Sequence, residues 1–100
     1  MPQYRKLWTK TVYSFDVDDM PDDFTRLLWV LLPLGLSSEG TCPRHTNYIR
    51  SKLFPLRKDV TDKMVWDGLT FFAERDMIRF YQDNGRDYLF MTNFFRYQGK

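Results

Sequence analysis

The sequence holds very few of the residues that carry hydrolytic or metal chemistry: one cysteine and one histidine among 100 residues. Cys42 has no partner for an intrachain disulfide, and one Cys with one His cannot fill a tetrahedral metal site. No nucleophile motif accompanies His45, so a Ser-His-acid centre is not indicated. The sequence therefore predicts a protein that is not an enzyme, with no catalytic residue, metal site or cofactor.

Long apolar runs and glycine-rich loops are also missing. The five glycines are scattered and form no phosphate-binding loop. The longest apolar run, residues 27–32, is much too short to span a bilayer. Charged residues follow the first few positions where a secretory leader would have an apolar core. We therefore expect a cytoplasmic protein that does not bind membranes.

What the sequence does contain is typical of one small globular domain. Hydrophobic residues make up 43% of the chain, aromatic residues 18%, and the net charge is only +2. Large rings let a short chain bury a useful area with few residues. A small positive charge is compatible with nucleic acid but does not require it, so the distribution of the charge matters more than its sum.

We divide the chain into three segments. Residues 1–21 form an irregular arm and an acidic connector, residues 22–92 form the folded domain, and residues 93–100 form a tail. The sequence leaves two alternatives open for this tail: it packs on the domain, or it leads to a further domain in a longer protein. The first helix is predicted over 22–32, because Asp22 suits its N-terminus and apolar side chains recur at helical spacing after it. The face that this spacing predicts to be buried consists of Phe24, Leu27, Leu28 and Leu31.

A short strand, two helices and a hairpin follow the first helix. Residues 41–42 suit a very short strand, a second helix ends at Leu53, and a third occupies 59–74 with a core stripe of Val65, Leu69 and Phe72. Two β-rich runs, 77–82 and 87–92, are joined through Asn84-Gly85, a pair that favours a type I′ hairpin turn. The order predicts an α+β winged helix-turn-helix, with a three-helix core and a C-terminal β-hairpin wing.

A family resemblance covers about three quarters of the chain. The segments that carry it, in order, are FTRLLW (24–29), EG (39–40), IRSKLFP (49–55), LTFFAERDMI (69–78), NGRDYL (84–89) and NFFRYQ (93–98). Their succession resembles the N-terminal winged-helix domain of phage and prophage replication-initiation proteins, the replisome organisers related to DnaD. The chain departs from that pattern at Asp76, where a glycine is usual before the hairpin, and at Pro33, which interrupts the end of the first helix.

The resemblance implies a role in DNA replication at an origin, through DNA contact, self-association or both. It also implies replication proteins such as a helicase loader as partners, and a second domain after the tail.

The basic residues themselves indicate where double-stranded DNA would bind, and single-stranded DNA is left open as a ligand. The stretch 44–58 contains five basic residues and no acid, whereas the third helix carries four acids and one lysine. Carboxylates are repelled by phosphates. The second helix, the turn after it and the wing are therefore the better candidates. The predicted DNA-binding residues are Arg44, His45, Asn47, Arg50, Lys52, Arg57, Lys58, Thr61, Lys63 and Arg86.

Two other functions fit the same sequence. The chain has more large aromatic residues than a small core easily hides, and exposed rings are typical interface anchors. This favours a protein-interaction module or homodimer without direct DNA contact. The predicted anchors are Trp8, Trp29, Phe94 and Phe95, with Tyr13 and Phe15 in the arm. A small phage transcription regulator would use the same fold.

Overall fold

The computed structural model describes residues 5–7 and 9–98, and the protein has an α+β fold. The helices are α1 (Phe15–Asp18), α2 (Asp23–Leu31), α3 (Thr46–Leu53), α4 (Asp62–Glu74) and α5 (Phe94–Gln98). The strands are β1 (Thr41–Pro43), β2 (Ile78–Asp83) and β3 (Arg86–Met91), and 3-10 turns cover Thr9–Tyr13 and Leu32–Gly35. The predicted succession of helix, short strand, two helices and hairpin is therefore present.

The core lies between the helices and one face of the sheet. Val65, Leu69 and Phe72 on α4 are fully buried, which confirms the predicted stripe. The face predicted for α2 is only partly right. Leu28 is fully buried, but Leu27 is 37% exposed, because Thr25 on α2 and Leu32 of the 3-10 turn face the core instead.

Side chains at the helix N-termini explain where α2 and α4 begin. The Asp22 carboxylate accepts a hydrogen bond from the Thr25 amide at 2.8 Å and another from the Thr25 hydroxyl at 2.6 Å. These hydrogen bonds lower the pKa of Asp22. The Thr61 hydroxyl accepts from the amide of Met64 at 3.2 Å and so starts α4. Each cap satisfies an amide that has no partner inside its helix.

The three strands form one antiparallel sheet in the order β1-β3-β2. The β2–β3 hairpin turns at Asn84 (φ 52°) and Gly85 (φ 76°), the two positive φ angles that a type I′ turn requires. Asp76, which precedes β2, also has a positive φ of 59°. A glycine would adopt this conformation with less strain.

The N-terminal segment differs from the irregular arm that we predicted, since it forms a 3-10 turn and then α1. Tertiary contacts hold it in place. The Arg26 guanidinium donates to the carbonyls of Val17, Asp18 and Met20. Arg75 adds hydrogen bonds to two α1-region carboxylates, at 3.2 and 3.1 Å. These partners lie up to 59 residues apart in sequence, beyond the range of a local pattern.

The described part of the tail packs on the domain, which is one of the two alternatives that the sequence left open. It forms the short helix α5, whose first residue, Phe94, is 5% exposed and belongs to the core. The Phe94 ring lies against Gly40, where an added Cβ would come within 2.6 Å of the ring. Within the described residues, none of the helices combines the length and hydropathy needed to cross a membrane.

Candidate nucleic-acid interface

Helix α3 presents two of the predicted DNA-binding side chains at its N-terminus. His45 is exposed, and its Nδ1 accepts a hydrogen bond from the Tyr48 amide at 3.3 Å, which leaves Nε2 as an outward donor. Asn47 is exposed too, but its Oδ1 already accepts from Arg50 and Ser51. Only the Asn47 amide nitrogen is therefore available to a ligand.

Three ion pairs occupy basic residues of the predicted DNA-binding set. Arg50 on α3 contacts Asp62 at 2.8 Å, and Lys63 contacts Asp67 at 2.8 Å. In the turn between α3 and α4, Arg57 contacts Asp59 at 2.6 Å. The hydrogen bond from Arg57 lowers the pKa of Asp59. Asp62 on α4 and Asp59 just before it thus neutralise part of the positive charge of residues 44–58, a stretch that itself contains no acidic residue.

Arg44 has a structural role that the sequence does not reveal. Its guanidinium lies 4.9 Å from the centre of the Phe80 ring and 5.6 Å from that of Trp66, and it contacts Asp87 at 2.9 Å. The Trp66 and Phe80 rings are themselves stacked, at 5.8 Å. Arg44 therefore joins the start of α3 to α4 and the sheet, and it is poorly placed to reach a phosphate.

The remaining basic residues of the predicted set are free. Lys52 on α3, Lys58 in the following turn and Arg86 at the start of β3 are exposed, and none of them forms an ion pair with any residue that the structure describes. Thr61, also in the predicted set, is exposed and caps α4. The unpaired positive charge is therefore smaller than the sequence count indicates.

The predicted self-association anchors have mixed environments. Trp29 is partly buried and packs against Phe72 with ring centres 5.1 Å apart. Phe94 was predicted as an exposed anchor, and this is wrong because the ring belongs to the core. Phe95 is 45% exposed. Trp8 lies outside the described residues.

The largest exposed apolar side chains of the N-terminal segment lie close together in sequence. Val12, Tyr13 and Phe15 are 79%, 82% and 85% exposed. Tyr13 and Phe15 were predicted to contribute to an interface, and both remain available to a partner.

An aromatic surface on the sheet was missed by the sequence reasoning. Tyr81 stacks on Tyr88 with ring centres 5.5 Å apart, and it contacts Phe90 edge-on at 5.9 Å. A signal for this pair existed in the sequence. The two-residue turn at Asn84-Gly85 sets the hairpin register, and that register places Tyr81 opposite Tyr88.

The single cysteine of the chain lies in the core. Cys42 is 5% exposed, and burial raises the pKa of its thiol to about 12, so the reactive thiolate is scarce at neutral pH. The described part of the chain holds no group of three His, Cys, Asp or Glu residues that could bind a metal ion.

Comparison of the chain with protein-family models, with curated proteins and with solved structures finds no match.

Proposed function

We propose that this chain is a winged-helix domain that binds double-stranded DNA and catalyses no reaction. The proposal is supported by the element order, in which α2, β1, α3, α4 and the β2–β3 hairpin follow one another and β1 pairs with the hairpin. In winged-helix proteins the last helix of the core and the wing face DNA.

The observation that carries the proposal is that Lys52, Lys58 and Arg86 have no carboxylate partner among residues 5–7 and 9–98. Other basic side chains of the same region are engaged by Asp59, Asp62, Asp67 and Asp87. Free cations bind phosphate without first losing a partner, and positive charge supplies most of the non-specific affinity for DNA. The contact surface is therefore α3, the α3–α4 turn and the hairpin tip, with His45 and Asn47 as additional donors.

The phage-replication role follows from the resemblance in sequence and is part of the same proposal. The positive φ at Asp76 agrees with this resemblance, because the family that the chain resembles has a glycine at the corresponding position. The partners would be an origin duplex and replication proteins such as a helicase loader.

The test is fluorescence anisotropy with a labelled duplex at about 50 mM NaCl, where phosphate contacts are strong. The triple variant Lys52→Ala/Lys58→Ala/Arg86→Ala should lose most of its affinity. Lys6→Ala is the matched control, because Lys6 is exposed and lines a groove beside Trp29 and Pro33. Equal affinity of the triple variant and wild type would contradict the proposal.

A second candidate function, self-association, is favoured by the exposure of Val12, Tyr13 and Phe15. Contiguous exposed apolar side chains commonly mark a protein interface. Sedimentation velocity of the wild type should then show a dimer that Tyr13→Ser/Phe15→Ser dissociates. A monomer at high protein concentration would argue against this function.

A further inference from the structure

The outer face of the sheet carries aromatic side chains that the proposed duplex contacts do not include. Side chains alternate between the two faces of a strand. Ile78, Leu89 and Met91 are buried in the core. Tyr81, Tyr88 and Phe90 are an odd number of positions from them on the same strands, so they lie on the outer face. The contacts of Tyr81 with both other rings place all three on the same side.

This face carries mainly aromatic and polar side chains. The register and the alternation assign to it Thr41 and Pro43 from β1, Arg86, Tyr88 and Phe90 from β3, and Arg79, Tyr81 and Asp83 from β2. The face of these three described strands therefore has rings, hydroxyls and guanidinium groups but no Leu, Ile, Val or Met. Aromatic rings flanked by cations are the means by which proteins hold the bases and phosphates of single strands.

The aromatic surface continues past the sheet edge toward α3. Pro43 lies opposite Tyr88 in the register, and both border an open hollow of about 340 Å³. Tyr48, which is 41% exposed, and the unpaired Lys52 line the same hollow. A second open hollow of about 450 Å³ begins on the other side of Tyr48 and reaches His45. Rings therefore follow one another from Tyr81 across β1 to helix α3.

The charges along this path favour a polyanion only weakly. Arg86 and Lys52 are free, Arg79 is held by Asp76 at 2.8 Å, and Asp83 lies opposite Arg86 in the register. Stacking on the rings, rather than charge, must then supply most of the affinity. Binding to this face should consequently depend less on salt than binding to the duplex surface.

We propose that the outer sheet face binds single-stranded nucleic acid, with two or three bases stacked on Tyr81, Tyr88 and the ring of Tyr48. The proposal goes beyond duplex binding, because Tyr81 and Tyr88 are not among the side chains proposed to contact a duplex, whereas Lys52 and Arg86 would serve both ligands.

The experiment is anisotropy with short labelled oligo(dT) and oligo(U), using wild type and single tyrosine variants. Tyr81→Leu and Tyr88→Leu should each weaken binding roughly 10-fold, the loss of about one stacked base. Tyr81→Phe and Tyr88→Phe should bind as wild type, since a phenyl ring stacks without the hydroxyl. Leu7→Ala is the control, because Leu7 is 62% exposed and belongs to none of the proposed interfaces.

The duplex affinity of the Tyr81 and Tyr88 variants should equal that of the wild type. This measurement separates single-strand binding from the proposed duplex binding. Tyrosine ring NMR signals of the wild type provide a second measurement that needs no variant. Signals of Tyr81 and Tyr88 should shift on addition of oligo(dT), and those of Tyr13 should not. Leucine variants that bind like wild type, or wild-type ring signals that do not respond, would overturn the proposal. If the wild type binds neither oligonucleotide but dimerises through Tyr81, the proposal is overturned, and the partner of this face is a second copy of the chain.

Discussion

The salt dependence of duplex binding reports how many basic side chains contact phosphates, and the structure predicts that few do. The sequence contains seven basic residues in the predicted interface, namely Arg44, Arg50, Lys52, Arg57, Lys58, Lys63 and Arg86. Four of them are ion-paired, and three are free. Each phosphate neutralised adds about −0.9 to the slope of log K against log salt. Three contacts predict a slope of about −2.7, and seven predict about −6.3.

The two values are easy to distinguish. Between about 50 and 200 mM NaCl, a slope of −2.7 lowers the affinity about 40-fold, and a slope of −6.3 lowers it about 6000-fold. Lys58→Ala removes one free cation and should reduce the slope to about −1.8. Lys6→Ala removes the same charge elsewhere and should leave the slope unchanged. Anisotropy titrations at four or more salt concentrations measure all three proteins.

Three results would refute this reasoning. A slope near −6 would mean that the ion pairs of all four paired cations (Arg44, Arg50, Arg57 and Lys63) open for phosphate, so that pairing does not limit the interface. A slope that Lys58→Ala leaves unchanged would remove the α3–α4 turn from the contact surface. Absence of binding at the lowest salt would refute the proposed DNA-binding function itself.

Three further predictions concern the fold. Asp22→Ala should destabilise the protein by about 1 kcal/mol at pH 7 in urea unfolding, through loss of the cap on Thr25. The pKa of Asp22 is lowered in the folded state, so the stabilisation by its carboxylate is present above about pH 4 and should disappear as the pH falls through the folded-state pKa. A loss of stability in Asp22→Ala that does not change with pH would contradict this assignment. Gly40→Ala should lower the free energy of unfolding by about 2–4 kcal/mol, because a non-glycine residue is strained at φ 83° and its Cβ would displace the buried Phe94 ring. An unchanged Tm would show that this ring is loosely packed. Cys42 should react with a thiol reagent at pH 8 at least about 100-fold more slowly in the folded than in the unfolded protein, and comparable rates would contradict its burial and raised pKa.

Much of the local structure could be predicted because the signals are local. The stripe of Val65, Leu69 and Phe72 follows from helical spacing on one element. The hairpin follows from Asn84-Gly85, since the required positive φ angles select those residues. The cap at Asp22 needs only a partner three residues later, and the sequence therefore placed the start of α2 correctly.

The structure of the N-terminal segment could not be predicted from local sequence signals. Its helix α1 is four residues long and is held by Arg26 and Arg75, which belong to α2 and to the end of α4. Isolated helices this short are unstable in water, so only distant partners can order them. No pattern within the segment predicts those partners.

The order of the elements, the hairpin register and the chemical nature of the candidate interface follow from the sequence, because each depends on neighbours along the chain. Which cations are free depends instead on the folded structure. Arg44 and Asp87 are 43 residues apart in sequence but lie 2.9 Å apart in space. A charge count along the chain cannot include a carboxylate that folding brings into contact. The same reason explains why Phe94 is buried against Gly40, and why Lys52, Lys58 and Arg86 are the basic residues left for a ligand.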